Sequence, residues 1–231
     1  MNAPLDNNQF EILRRLDTCT MANAIETFNQ RLRNEGFTDS SIHCQFPQMP
    51  PMLGYAATVK VRGSLPPMGN KVYPYHTDWL DYIASLPSPR VLVVQDAATI
   101  IGSGSFVDLV HIHILNALHC VGAVTNGSVR GVSAAEALGF QLFAGSLSVS
   151  HTYLHIVEFG TPVQVAGLKV QSGELIHGDR HGVQSIPADI APKIPRVAAE
   201  VLAREQDLVT LCHSKDFSLE KLKAALAQGK H

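Results

Sequence analysis

The sequence lacks what a nucleic-acid or membrane protein needs. Its 231 residues carry 18 Lys and Arg against 20 Asp and Glu, a formal charge of −2, so no basic excess exists to neutralise phosphates or an anionic bilayer. No apolar run approaches the roughly 20 residues that cross a membrane. Cysteine is scarce: Cys19, Cys44, Cys120 and Cys212 lie far apart and form no CxxC pair, and the polar start MNAPLDNNQF has no signal-peptide pattern. A reduced, cytoplasmic protein is expected, with small molecules or proteins rather than nucleic acid or membrane as partners. What is present in quantity is apolar: 45% of residues are hydrophobic, enough to bury one full core, and a single domain is expected.

Hydrophobic spacing gives the elements. Ile12, Leu13, Leu16, Met21, Ala24, Ile25 and Phe28 recur at helical intervals, which predicts two helices broken near residues 18–20. The proline-rich stretch 46–53 reads as extended or looped before a strand over 54–61, and residues 63–70 as an exposed loop. A short helix around Trp79 and Ile83, a buried strand over 90–95, a glycine loop at 102–105 and a helix over 106–120 compose a βαβ unit with the next strand. Beyond 140–144 short strands alternate with glycine turns, at 162–170, 174–177 and 183–186, and amphipathic helices follow Pro195 and cover 219–226.

The stretch VGAVTNGSVR at 121–130, followed by GVSAAEALGF, reads as a buried strand ending in a turn that presents Arg130. Ser133 and Glu136 form a capping-box pair that opens the next helix. A guanidinium there can hold a carboxylate through two parallel hydrogen bonds, and the crevice beyond strand carboxyl ends is where open α/β sheets bind ligands. A purely structural ion pair is the plain alternative. The loop from Gly102 through Gly104 to Ser105 can aim backbone N–H groups at an anion, although it has neither the third glycine of a dinucleotide fingerprint nor the lysine of a P-loop, so a simple turn stays open. The two loops leave adjacent strands on one edge and converge on one crevice.

Eleven histidines invite a metal reading. His111 and His113 point to different sides of a helix and cannot share an ion. His151, His155 and Glu158 share a face if their segment is helical, giving a His-His-carboxylate set, but Val157 and Phe159 fit a strand equally well and polar packing is the alternative. His177, Asp179 and His181 alternate around Gly178 and Gly182, which suggests a tight turn with Asp179 as turn-former.

Taken together, GYAATV at 54–59, VLVVQD at 91–96, CVGAVTNGSVR at 120–130, ALGFQLFAG at 137–145 and GTPVQVAGLKVQSGELIHGDRHGVQSIP at 160–187 resemble the RraA-like family over about residues 10–190. That family holds the regulator of ribonuclease E activity A and the class II pyruvate aldolases acting on 4-hydroxy-4-methyl-2-oxoglutarate and 4-carboxy-4-hydroxy-2-oxoadipate. The resemblance implies an α/β fold, a swivelling β/β/α domain with flanking N- and C-terminal helices. It also implies one domain over residues 1–231, its C-terminal helical extension beginning near 191, and a homotrimer or hexamer with sites between subunits. It further implies a divalent metal, magnesium or manganese, that stabilises a pyruvate enolate. The family pattern is a glycine and an acidic residue at a helix start, then an Arg-Asp pair. Matched without gaps, the arginine falls on Arg130, the glycine on Asp108, the acidic residue on Leu109 and the metal-binding aspartate on Gly131; the alternative is a small local shift, or a gap placing Gly104 in the glycine role, that returns the Asp108 carboxylate to the site, with His111 or His113 as a further ligand from the same helix.

Three readings follow. The first is a carbon–carbon lyase for a small 2-oxo acid, a pyruvate-forming aldolase or oxaloacetate-type decarboxylase. In it Arg130 and Asp108 are catalytic, and Gly104, Asp108, Leu109, Val110, His111 and Arg130 bind substrate, with Asp108 and His111 the candidate metal ligands. The second is a non-catalytic binding or regulatory protein, favoured by Gly131 in the metal-binding position. The third is a remodelled enzyme of the same fold. Gly131→Asp is expected to separate them, by restoring metal-dependent activity to a decayed lyase.

Overall fold

The computed structural model describes residues 5–63 and 77–228, so the predicted loop at 63–70 falls almost wholly outside the described residues. Two helices, α1 (Asn7–Arg15) and α2 (Thr18–Glu26), begin the chain, each with an aspartate N-cap, Asp6 and Asp17. The break between them falls at Leu16 and Asp17, slightly before the predicted one, because Asp17 turns its carboxylate back onto the Thr20 N–H. Strand β1 (His43–Cys44) precedes the long β2 (Met52–Arg62), helix α3 (Asp78–Ser85) and β3 (Arg90–Asp96). Then come β4 (Ser105–Val107), α4 (Leu109–Ala117), β5 (Cys120–Thr125), β6 (Ser128–Val129), α5 (Val132–Leu138), β7 (Gln141–Ala144) and β8 (Ser146–Leu147). Strands β9 (His155–Phe159), β10 (Val163–Val165), β11 (Leu168–Val170), β12 (Leu175–Asp179) and β13 (Gly182–Ile186) lead to α6 (Ile194–His213) and α7 (Leu219–Gln228).

The main sheet runs β1-β7-β5-β3-β2-β12-β13, with β9 also on β2. Its centre, β2-β3-β5-β7, is parallel and covered on both faces, which is why RVLVVQD reads as a continuous apolar run. The sheet is nearly closed: Phe37 bridges to Gln184 and the Thr38 N–H donates to Val183, so the segment that becomes β1 at one edge first touches β13 at the other. One core packs α3, α4 and α5 on the sheet through Trp79, Ile83, Ile112, Leu115 and Phe140. A second joins α1, α2 and α6 through Leu13, Met21, Ile25, Ile194 and Val197. Buried Arg90 fastens two helix ends to β3, its guanidinium donating to the carbonyls of Ala84 and Leu86 beside α3 and Leu118 beside α4, where the helix dipoles favour a cation.

Three local expectations are corrected. The predicted helix over 106–120 is shorter, since Ser105 to Val107 pair with β6 in a small sheet β4-β6-β8 and Asp108 caps α4. The residues 151–158 are not helical: His151 lies in a loop and His155 opens β9, held antiparallel to β2. Helix α5 is not opened by Ser133; its N-cap is Gly131 at φ +74°, with no side-chain cap.

Candidate functional site

Arg130 follows β6, which pairs in parallel with β4, and Asp108 follows β4, so the pairing sets the two residues side by side at the same sheet end. The expected meeting of the 102–105 loop with the Arg130 turn is corrected: that loop enters β4 at the end opposite Asp108, and it is Asp108 that meets Arg130. Asp108 is the N-cap of α4, and its Oδ1 accepts the His111 backbone N–H at 2.9 Å and lies 2.8 Å from His111 Nδ1. Its Oδ2 faces the Arg130 Nη2 at 3.3 Å and His151 Nε2 at 3.1 Å. Arg130 also donates to the Val149 carbonyl at 3.1 Å and contacts His151 Nε2.

The electrostatics follow from these contacts. Burial works to raise the Asp108 pKa, but the His111 N–H, the His111 ring and Arg130 together outweigh it and hold the carboxyl below its ordinary value. Burial lowers the His111 pKa against the pull of Asp108, and the ring packs 4.9 Å from Phe106 and 6.1 Å from Trp79. A neutral His111 therefore donates its Nδ1–H to the ionised Asp108 and is held as a wall of the site. His151 is arranged differently. Its Nδ1 lies 3.0 Å from the Ser105 carbonyl and must donate there, which leaves Nε2 between a guanidinium and a carboxylate. When neutral, Nε2 accepts from Arg130; when protonated, it donates to Asp108. An imidazole with a partner in both states is suited to passing a proton.

The candidates separate accordingly. Asp108, His111 and Arg130 come together, and exposed Leu109 and Val110 flank them on the first turn of α4. His113 lies exposed on the same helix, with no contact to this cluster. Gly104 is buried against the His151 backbone and the Thr152 hydroxyl, and its carbonyl accepts from Ser128. The anion cradle expected of 102–105 is corrected: the Gly102 N–H donates to Asp96 Oδ2 and the Ser105 N–H to the Ser150 carbonyl, so these amides are spent in fixing the loop. His155 turns to the Tyr153 carbonyl and Glu158 pairs with Lys60, away from His151. Asp179 is not a mere turn-former; it is buried and accepts from Thr18 and His181.

His151 was missed as a partner of Arg130. In the sequence it stands out only as a member of the His151–His155–Glu158 set, since nothing in the run SLSVSH, which opens with β8 of the small sheet, points to Arg130.

A divalent metal fits this arrangement poorly. Both oxygens of Asp108 are engaged, the outer one by a guanidinium, and among the described residues no group of three His, Cys, Asp or Glu side chains is set to hold a metal ion. Two concavities lie elsewhere. One of about 720 Å³ is lined by Phe10, Tyr55, Pro89 and Val121 at the opposite ends of the strands, and one of about 850 Å³ lies between α2, α6 and α7.

A family model described as RraA-like, Aldolase/RraA, matches residues 18–184. A Halalkalibacterium halodurans protein named "Putative 4-hydroxy-4-methyl-2-oxoglutarate aldolase" is 29% identical over 127 residues, 52% of this chain and 59% of that protein, so the match spans little more than half of the relative. An uncharacterized protein from Pseudomonas syringae pv. tomato superposes with a TM-score of 0.74 at 20% identity, covering 96% of this chain and 95% of that one. RraAS2 of Streptomyces coelicolor, described as an unusual member of the RNase ES inhibitor RraA protein family, gives 0.69 at 17% identity over 89% of this chain and 98% of its own. At these identities the two structures share the fold alone with this chain.

Proposed function

This chain belongs to the RraA-like family, and from that premise we propose that it is a carbon–carbon lyase for a small 2-oxo acid, releasing pyruvate from an aldol or from oxaloacetate. The observation that carries the reading is the cluster of Arg130, Asp108 and His151 beyond the strand ends, with the guanidinium about a third exposed at 33%. Its remaining N–H groups are the donors for a substrate carboxylate or 2-oxo oxygen. As the carbon–carbon bond breaks, its electron pair moves onto the oxo group to form an enolate, and a fixed guanidinium facing that oxygen stabilises the charge that develops there. In the aldol case His151 Nε2 takes the proton of the departing carbinol and returns it to the enolate carbon. In the decarboxylation case it supplies that proton. Asp108 holds the imidazole and the guanidinium in register.

Pyruvate release from oxaloacetate and from 4-hydroxy-4-methyl-2-oxoglutarate, with and without chelator, tests the reading. It requires release that Arg130→Ala lowers by about 100-fold or more and His151→Gln slows with an altered pH profile. No release from either acid under any metal condition rejects it. The binding-protein reading is favoured by Gly131 alone, and its mark is a small carboxylate that binds at Arg130 without turnover.

A further inference from the structure

The positions where the resemblance places a glycine and a metal-binding aspartate carry Asp108 and Gly131, and the structure sets them face to face. Gly131 has φ +74°, and a Cβ there would lie 2.7 Å from the Leu109 nitrogen and 3.1 Å from the Asp108 carbonyl carbon. That is closer than a side chain tolerates, the obstruction is backbone, and a left-handed φ costs a non-glycine residue further strain. The carboxylate here is that of Asp108, the N-cap of α4, which reaches Arg130 at 3.3 Å. We infer that the Arg130–Asp108 site, in which side chains are the carboxylate's cationic partners and backbone fills the space a side chain at 131 would need, takes no divalent metal.

The partner census of Asp108 supports this. A metal-binding carboxylate presents a free oxygen lone pair to the ion. Here Oδ1 is taken by the His111 N–H and ring nitrogen, and Oδ2 faces Arg130 and His151 Nε2. An ion on Oδ2 would sit against a permanent positive charge and would have to displace it. Restoring an aspartate at 131 with Asp108 in place adds a second carboxylate to a gap that lacks room even for a Cβ. The expectation that Gly131→Asp alone revives metal chemistry is therefore replaced by the expectation that it damages the fold. The inference concerns the same crevice as the lyase reading but does not depend on it, because its readouts are metal binding and melting temperature.

The test titrates Mn²⁺ by electron paramagnetic resonance into the full chain and its Asp108→Asn and Gly131→Asp variants, and melts each. The wild type and Asp108→Asn should take up Mn²⁺ indistinguishably, and Gly131→Asp should melt roughly 5 °C lower. Wild-type Mn²⁺ binding that Asp108→Asn weakens tenfold overturns the inference, and so does a Gly131→Asp variant that melts with the wild type and binds Mn²⁺.

Discussion

Asp108 and Asp179 are 7% and 6% exposed, and each accepts the backbone N–H and faces the ring Nδ1 of a histidine just ahead in the chain, His111 and His181. They diverge at the second oxygen. That of Asp179 turns inward to the Thr18 N–H at 2.9 Å, while the Thr18 hydroxyl joins His181 on the first, so the carboxylate clasps the start of α2 to the β12-β13 hairpin. That of Asp108 turns outward to Arg130 and His151. Below, His177 is fully buried with Nε2 on the Leu16 carbonyl and no partner for Nδ1 among the described residues, whereas His151 keeps both nitrogens in play. A buried aspartate beside a histidine is therefore no functional signal in this chain. A cation and a second imidazole on its outer oxygen are what make one of the two a site.

The sharpest way to break the comparison is to remove each partnership in turn. Asp179→Ala strands the buried Thr18 N–H, removes the acceptor of the His181 N–H and breaks the clasp, and should cost about 4 kcal/mol, a fall in melting temperature of roughly 10 °C. Catalytic rate per folded molecule should be unchanged. Arg130→Ala should do the reverse, lowering kcat/KM for pyruvate release by about 100-fold or more while the melting temperature moves by no more than about 2 °C. Equal thermal losses in the two variants would erase the distinction between clasp and site.

The distinction was only half visible in the sequence. The buried strands, the βαβ unit and the turn presenting Arg130 follow from apolar runs and turn residues, which are local properties, and those elements appear in the structure. The Asp179–Thr18 contact joins residues separated by 161 positions, and nothing in the local pattern of HGDRHG distinguishes it from an ordinary turn. His151 is hidden for a related reason. Its place beside Arg130 depends on the parallel pairing of β6 with β8, two short strands whose four residues carry no periodicity of their own. The direction of Gly131 was equally hidden, because a positive φ at that N-cap is set by the packing of 108–109 against it.

Acid separates the two regions next. Burial holds the His177 pKa down at about 4 from an ordinary 6.5, so the folded state binds fewer protons than the unfolded chain between those values. The contribution is complete above pH 6.5 and is lost as pH falls toward 4, amounting to about 3 kcal/mol at most. Asp179 and Asp108 are also held below their ordinary value, burial working against that shift and the Thr18 and His111 hydrogen bonds outweighing it. Their stabilisation is present above the unfolded carboxylate pKa and disappears at lower pH, as each folded value is passed. Denaturant melts of the wild type and His177→Leu between pH 7 and 4 check the window. The variant should lose less stability across it, and parallel curves would remove His177 from the account.

The smallest expected effect sharpens the comparison from outside. Glu158 is a third carboxylate near histidines in sequence, with Lys60 at 2.9 Å and the Thr161 hydroxyl at 3.0 Å, but it is exposed on β9 and reaches no buried group. Its hydrogen bonds to Lys60 and Thr161 lower its pKa, and loss of the pair leaves both groups to water, where exposed ion pairs gain little. Glu158→Gln should leave melting temperature, pyruvate release and Mn²⁺ uptake all as in the wild type. A change in Mn²⁺ uptake alone would revive a His155–Glu158 metal site that their contacts argue against, since His155 Nδ1 turns to the Tyr153 carbonyl and Glu158 is taken by Lys60.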